Sequence, residues 1–126
     1  MTDLPKVLII EDDHFYQNKW LRDLAGRANI VRAFDQEEGR KMFAEHPDVK
    51  MIVMDGYVPN SSAKTLTDKP GEATTLELVR ELRKSFAGVI LAVSSSINRD
   101  LKSAGCDEVC EDKDEVGAVV LKLLDK

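Results

Sequence analysis

The sequence predicts an α/β fold in which five βα units build a parallel sheet that helices cover on both faces. Short apolar segments alternate along the chain with longer segments whose apolar residues recur at helical spacing. The strand-like segments are apolar at consecutive positions, as in "VLII" (7–10), instead of alternating with polar residues. Consecutive apolar positions are typical of strands that are buried on both faces, and hence of parallel sheets with helices on either side.

Each predicted element has its own signal in the sequence. The predicted strands are residues 6–10, 29–34, 50–55, 88–94 and 107–111. The predicted helices are residues 14–27, 35–46, 74–86, a short segment after Ser96, and a last helix with an apolar stripe from 116 to 124. Asp35 is a favourable N-cap for the second helix, and Thr74-Thr75-Leu76-Glu77 fits a capping box at the start of the third. Ser96 is a candidate cap for the fourth helix.

Composition indicates one globular domain covering residues 1–126, since the chain is 43% hydrophobic and 33% charged. The net charge of −5 and the lack of a basic stripe argue against direct nucleic-acid binding. The apolar segments are too short to span a membrane, and the N-terminus lacks the pattern of a signal peptide. The spacing of Cys106 and Cys110 matches neither a redox nor a zinc motif, so we expect buried thiols and a cytoplasmic setting.

Residues 60–73 interrupt the alternation of strands and helices. This segment is rich in Ser, Thr, Lys, Pro and Gly and has almost no apolar residue, so we expect a long surface loop between the third strand and the third helix. Loops of this length tend to be functional or disordered. The sequence leaves open whether the loop binds a partner, acts as a lid or is a tolerated insertion.

Polar residues stand where the predicted strands end. They are Glu11, Asp12 and Asp13 after the first strand, Asp55 at the end of the third, Ser94 at the end of the fourth, and Lys113 just past the fifth. Parallel α/β sheets bind ligands at this edge. Clustered carboxylates are costly unless a cation meets them, and hard oxygen ligands suit Mg²⁺. Asp55 stands alone at its strand end and is a candidate nucleophile for an aspartyl phosphate, which metal, Lys113 and Ser94 would stabilise.

Four segments in this order resemble the motifs of response-regulator receiver domains of two-component signalling. They are "VLIIEDD" (7–13), "MIVMDGYVP" (51–59), "ILAVSSS" (90–96) and "SAGCDEV" (103–109). The resemblance covers nearly the whole chain. It implies a flavodoxin-like (βα)5 fold with strand order 2-1-3-4-5.

The resemblance also implies a role for each site residue. Asp55 matches the phosphoacceptor, Asp12 a direct Mg²⁺ ligand, and Glu11 a ligand acting through water. Tyr57 would offer its backbone carbonyl to the metal, and Ser94 matches the hydroxyl that follows the phosphoryl group. A histidine kinase or phosphotransfer protein would supply the phosphoryl group, a downstream protein would read the result, and the chain would catalyse nothing beyond its own phosphorylation and dephosphorylation. Asp13 is an additional acid, either exposed or a helix cap.

The end of the fifth strand departs from the receiver pattern. The family's lysine position falls on Asp112, and Lys113 comes one residue later, so a one-residue bulge is needed to turn Lys113 into the site. The proline that usually follows the lysine is missing, as is the aromatic switch residue, whose position falls on Val109 or Cys110. These departures leave open a pseudo-receiver that binds partners without being phosphorylated.

Two classes of enzyme are disfavoured because the sequence lacks a residue or a motif that each of them requires. A phosphohydrolase of the haloacid-dehalogenase type needs a second Asp two residues after the nucleophile, where Tyr57 stands. A P-loop enzyme needs a G-x-x-x-x-G-K motif that the sequence lacks. The sequence leaves open whether the chain acts alone or belongs to a larger protein.

Overall fold

Five strands form one parallel sheet in the computed structural model, which describes residues 3–61 and 74–125. They are β1 (Lys6–Ile10), β2 (Asn29–Ala33), β3 (Met51–Asp55), β4 (Val89–Val93) and β5 (Glu108–Cys110). Their order across the sheet is β2-β1-β3-β4-β5, and every neighbouring pair is parallel. The predicted fold class and strand order are therefore confirmed.

Five α-helices connect or follow the strands. They are α1 (His14–Asp23), α2 (Gln36–Glu45), α3 (Leu76–Arg83), α4 (Asn98–Ala104) and α5 (Val116–Leu124), with a 3-10 turn at Lys113–Glu115 directly before α5. All of the predicted strands and helices are present, and most of them were predicted a residue or more too long. The helix predicted for 14–27 ends at Asp23, because the chain turns through Gly26, whose φ of +77° lies in the left-handed region that favours glycine.

Apolar side chains from alternate positions of the strands build two cores, one on each face of the sheet. Leu8, Ile52 and Ile90 face the core beneath α2, α3 and α4. Val7 and Val53 face the other core, which α1 and α5 cover. Because β1, β3 and β4 are buried on both faces, their sequences are apolar at nearly every position.

The capping box predicted at Thr74 is wrong. Helix α3 begins after Thr75, which is therefore its N-cap, and the Thr75 side chain makes no capping hydrogen bond. The Thr75 hydroxyl instead donates a 2.7 Å hydrogen bond to the backbone carbonyl of Asp55. The tertiary contact with β3 takes the hydroxyl that local helix capping would otherwise use. The cap predicted at Asp35 is correct, since its carboxylate accepts a hydrogen bond from the backbone N–H of Glu38.

Cys106 and Cys110 are buried free thiols, as predicted, and they belong to the cores on opposite faces of the sheet. Among residues 3–61 and 74–125, no helix has the length and apolar character that crossing a bilayer requires. The long loop predicted for 60–73 falls, from residue 62 on, outside the described residues.

Candidate functional site

The carboxyl ends of β1, β3 and β4 meet at an open pocket of about 340 Å³. It is lined by Asp12, Asp13, Asp55, Tyr57, Ser94, Ser95 and Lys113. Asp13 is exposed at the rim and caps α1, because its carboxylate accepts a 2.8 Å hydrogen bond from the backbone N–H of Phe15. The topology thus brings to one edge the polar residues that the sequence placed at the strand ends.

Three carboxylates form a cluster in this pocket. Glu11, Asp12 and Asp55 each offer an oxygen, and these oxygens lie within 4.8 Å of one another. Glu11 is fully buried and Asp55 is 6% exposed, whereas Asp12 faces solvent. Hard carboxylate oxygens beside water suit Mg²⁺, which prefers oxygen ligands and keeps several waters. The donor set therefore fits the expected metal.

Lys113 reaches into the carboxylate cluster. Its ammonium nitrogen lies 2.5 Å from Oε1 of Glu11 and 3.3 Å from Oδ2 of Asp55. Asp112 is exposed, and its carboxylate accepts a hydrogen bond from the backbone N–H of Asp114, capping the 3-10 turn. At the position where the sequence left two alternatives, the lysine faces the site and the acid faces solvent.

Burial and neighbouring charge perturb the titration of this cluster. Complete burial raises the pKa of Glu11 to about 9, and the adjacent Asp55 carboxylate adds to the rise while Lys113 opposes it. Burial alone would lower the pKa of Lys113, but its hydrogen bond to Glu11 and the charge of Asp55 raise it above the ordinary value. These contacts therefore favour the protonated form of Lys113, and a divalent ion would favour the ionised form of Glu11.

Ser94 is buried at the end of β4, and its hydroxyl oxygen accepts hydrogen bonds from the backbone N–H groups of Ser96 and Ile97, both at 3.2 Å. Because the oxygen is the acceptor in both bonds, the Ser94 hydroxyl can still donate its proton to a hydrogen-bond acceptor. Ile97, and not Ser96, is the residue before α4, and it makes no side-chain cap. The cap predicted at Ser96 is therefore wrong.

Tyr57 and Thr75 flank Asp55. The backbone N–H of Tyr57 donates to Oδ1 of Asp55 at 3.4 Å, and the Tyr57 ring is exposed over the pocket, with its hydroxyl 3.5 Å from Oγ of Ser96. Thr75 holds the Asp55 carbonyl, and its N–H donates to the carbonyl of Gly56. The backbone at and directly after the candidate nucleophile is thus fixed. The metal-binding role of the Tyr57 carbonyl stays a prediction.

No protein-family model matches the sequence, and no curated protein is significantly similar to it. Solved structures are similar in fold. A two-component response regulator from Clostridium difficile matches with a TM-score of 0.76 and 15% identity over 97% of both chains. The BeF3-activated DrrB receiver domain matches with a TM-score of 0.73 and 13% identity over 98% of this chain and 100% of that one. This chain has the receiver-domain fold.

The receiver fold also occurs within longer proteins. A probable two-component response regulator/GGDEF domain protein matches with a TM-score of 0.76 and 17% identity over 96% of this chain. The present chain covers 49% of that protein, and so spans about half its length.

Three residues that support the candidate site were missed from the sequence. Gln17 is fully buried, and its amide donates to the carbonyls of Ile9, Glu11 and Ala33, which fixes the turn that carries the acids. The second is Thr75. The third is Trp20, whose indole N–H donates a hydrogen bond to the backbone carbonyl of Lys113. Because the partners of each of these residues lie elsewhere in the chain, no local sequence pattern could have revealed the contacts.

Proposed function

We propose that this chain is a phosphoacceptor receiver domain of a two-component or phosphorelay system, in which Mg²⁺-dependent phosphorylation of Asp55 switches protein–protein interactions. The observation that carries the proposal is the position of the Lys113 ammonium beside the Asp55 carboxylate, within a cluster of three acids. A phosphoryl group on Asp55 adds negative charge to an already acidic site. Phosphoryl transfer there requires cations, and this arrangement supplies one and fits a second.

Each residue has a task in the proposed reaction. A carboxylate oxygen of Asp55 attacks the phosphorus of the donor, a new O–P bond forms, and the bond between phosphorus and the donor's leaving group breaks. Lys113 offsets the charge of the transferred phosphoryl group, and the Ser94 hydroxyl can donate a hydrogen bond to one of the phosphoryl oxygens. Glu11, Asp12 and Asp55 would hold Mg²⁺, whose charge would complement that of Lys113.

The proposed partners follow from this chemistry. A phosphohistidine on a histidine kinase or phosphotransfer protein would supply the phosphoryl group, and a downstream protein would recognise the phosphorylated surface. The chain itself would catalyse only the phosphorylation and dephosphorylation of Asp55. The inward direction of Lys113 favours this proposal over the pseudo-receiver, which needs no cation at that position.

Acetyl phosphate with Mg²⁺ tests the proposal directly. We expect intact-mass spectrometry to show the gain of one phosphoryl group, and peptide mapping to place it on Asp55. Asp55→Asn keeps the shape but removes the nucleophile, so labelling should vanish while the circular dichroism spectrum is retained. Asp12→Ala should weaken Mg²⁺ binding and slow labelling.

Labelling that persists in Asp55→Asn would place the acceptor elsewhere. An unlabelled wild-type chain that also fails to bind Mg²⁺ and beryllofluoride would support the pseudo-receiver instead.

A further inference from the structure

Trp20 holds the backbone of Lys113. The indole of Trp20 is fully buried, and its Nε1–H donates a 2.9 Å hydrogen bond to the carbonyl oxygen of Lys113. A buried indole N–H needs a partner, because leaving it unpaired is costly. The bond joins the middle of α1 to the first residue of the 3-10 turn after β5, 93 positions later in the chain.

Tyr16 holds the other end of the same residue. It lies one helical turn before Trp20, on the same face of α1, and the two rings are 5.6 Å apart. The Lys113 ammonium lies 4.8 Å from the centre of the Tyr16 ring, within the range of a cation–π interaction. Helix α1 therefore contacts Lys113 at both its carbonyl and its ammonium, and the side chain between them points to Glu11 and Asp55.

These contacts act on a backbone segment that departs from the receiver pattern. Asp114 follows Lys113 where receiver domains usually have proline, and the described residues contain no cis peptide bond. Lys113 is also one residue later than the family's lysine, so its direction depends on what turns the segment. Asp112 caps the 3-10 turn on the solvent side, and Trp20 fixes the carbonyl on the protein side.

We propose that Trp20 and Tyr16 are positioning residues for phosphoryl transfer, which aim the Lys113 ammonium at Asp55 in place of the missing Lys-Pro peptide. This inference rests on the proposed function for its consequence in catalysis, but its geometric content can be measured without phosphorylation. Trp20 acts through the carbonyl of Lys113 and Tyr16 through the ammonium. In the contacts described above, neither residue touches the carboxylate of Asp55, which would be phosphorylated.

Amine footprinting of the full chain measures the geometric part. Brief acetylation with an N-hydroxysuccinimide ester, followed by peptide mass spectrometry, gives a relative rate for each lysine. In the wild-type chain we expect Lys113 to react more slowly than exposed lysines. Trp20→Phe removes the N–H, and Tyr16→Leu removes the ring, so each should raise the Lys113 rate by about fivefold or more while leaving other lysines unchanged.

Two variants serve as matched controls. Tyr16→Phe keeps the ring face, so it should retain slow acetylation of Lys113. Leu24→Val trims a fully buried side chain of the core that contains Trp20, without a described contact to Lys113, and so measures the effect of core loosening alone. If Trp20→Phe does not fold, as circular dichroism would show, the half-buried Tyr16 pair decides the question.

The chain has one tryptophan, so its indole N–H gives a single, assignable NMR signal. Adding Mg²⁺ and beryllofluoride should shift that signal in the wild-type chain, because Lys113 responds to the phosphoryl mimic and its carbonyl is the indole's acceptor. With the mimic at concentrations that saturate each chain, the shift should be lost in Lys113→Met. A tryptophan that served only the core would give the same shift in both chains.

Labelling with acetyl phosphate separates this inference from the proposed function. We expect Trp20→Phe and Tyr16→Leu to slow labelling of Asp55 by about tenfold, and Tyr16→Phe and Leu24→Val to stay near the wild-type rate. If the wild-type chain is never labelled but the footprint of Lys113 changes as described, the proposed function fails and the positioning stands. If the wild-type chain is labelled and all four variants match it in labelling and in footprint, the positioning is wrong and the proposed function stands.

Discussion

The ammonium of Lys113 bridges the carboxyl groups of two acids, 2.5 Å from Glu11 and 3.3 Å from Asp55. This single cation links the segment after β5 to the ends of β1 and β3. Glu11 is fully buried and Asp55 nearly so, whereas the lysine side chain is 29% exposed. The exposed side of the site therefore carries a positive charge close to the candidate nucleophile.

Replacing that cation should slow phosphoryl transfer. Lys113→Met keeps the length of the side chain and removes its charge, so we expect labelling of Asp55 by acetyl phosphate to slow by about a hundredfold, a typical cost for losing one electrostatic contact to a transferred group. The matched control is Asp112→Asn, which removes the charge of the neighbouring outward-facing acid and keeps a side-chain oxygen that can cap the 3-10 turn. Its labelling rate should stay within about twofold of wild type, since surface substitutions away from the site have small effects. Equal rates for Lys113→Met and wild type would remove Lys113 from the mechanism.

The sequence predicted the parts of this site that depend on local pattern. Asp12 and Asp55 follow directly from the ends of apolar strands, because parallel strands bring their carboxyl ends to one edge. The choice between Asp112 and Lys113 could not be predicted. It depends on the 3-10 turn and on the hydrogen bond from Trp20, which joins residues far apart in sequence. The role of the Thr75 hydroxyl was missed for the same reason, since its acceptor, the carbonyl of Asp55, lies 20 positions away in the chain.

The raised pKa of Glu11 should make the metal-free fold less stable as pH rises. The folded state holds its proton up to about pH 9, whereas the unfolded chain releases it near the ordinary value of 4.5. Between these values the folded state binds more protons, so the free energy of unfolding falls with increasing pH, at most by about 1.4 kcal/mol per pH unit from this group. Urea unfolding in the presence of a chelator, followed by Trp20 fluorescence from pH 5 to 9, measures the slope.

Glu11→Gln is the control for this prediction, because it keeps the shape of the side chain without a titrating proton. The variant should show a flatter pH dependence than wild type, and saturating Mg²⁺ should flatten the wild-type curve by binding the ionised form. Parallel curves for the two chains would mean that Glu11 is not the titrating group.

Arg83 should stabilise the fold more than its position on a helix surface suggests. Its guanidinium donates to the carbonyls of Phe86, Gly88 and Gly105 and to the carboxylate of Asp107, which ties the end of α3 to the starts of β4 and β5. Arg83→Ala leaves these acceptors without the donor, and we expect a loss of about 2–4 kcal/mol in the free energy of unfolding. Arg80→Ala, which removes an exposed arginine from the same helix, should cost less than about 0.5 kcal/mol. Similar urea midpoints for the two variants would contradict this role.

Tyr57 should slow the loss of phosphate from Asp55 by covering the pocket. Its ring lines the pocket and is 44% exposed, and its hydroxyl lies 3.5 Å from Oγ of Ser96, at the limit of a hydrogen bond. The ring is therefore the part that can exclude water from the acyl phosphate. Tyr57→Ala should shorten the half-life of the phosphorylated chain by about threefold to tenfold, whereas Tyr57→Phe, which keeps the ring, should leave it unchanged.

Phe15→Ala removes another exposed ring, on α1 and outside the pocket lining, and tests whether any surface aromatic has this effect. The half-life is measured by intact-mass spectrometry after the phosphodonor is removed. If Tyr57→Ala and Phe15→Ala both keep the wild-type half-life, Tyr57 is only an aromatic at the rim, because removing a ring that excluded water would have exposed the acyl phosphate to hydrolysis.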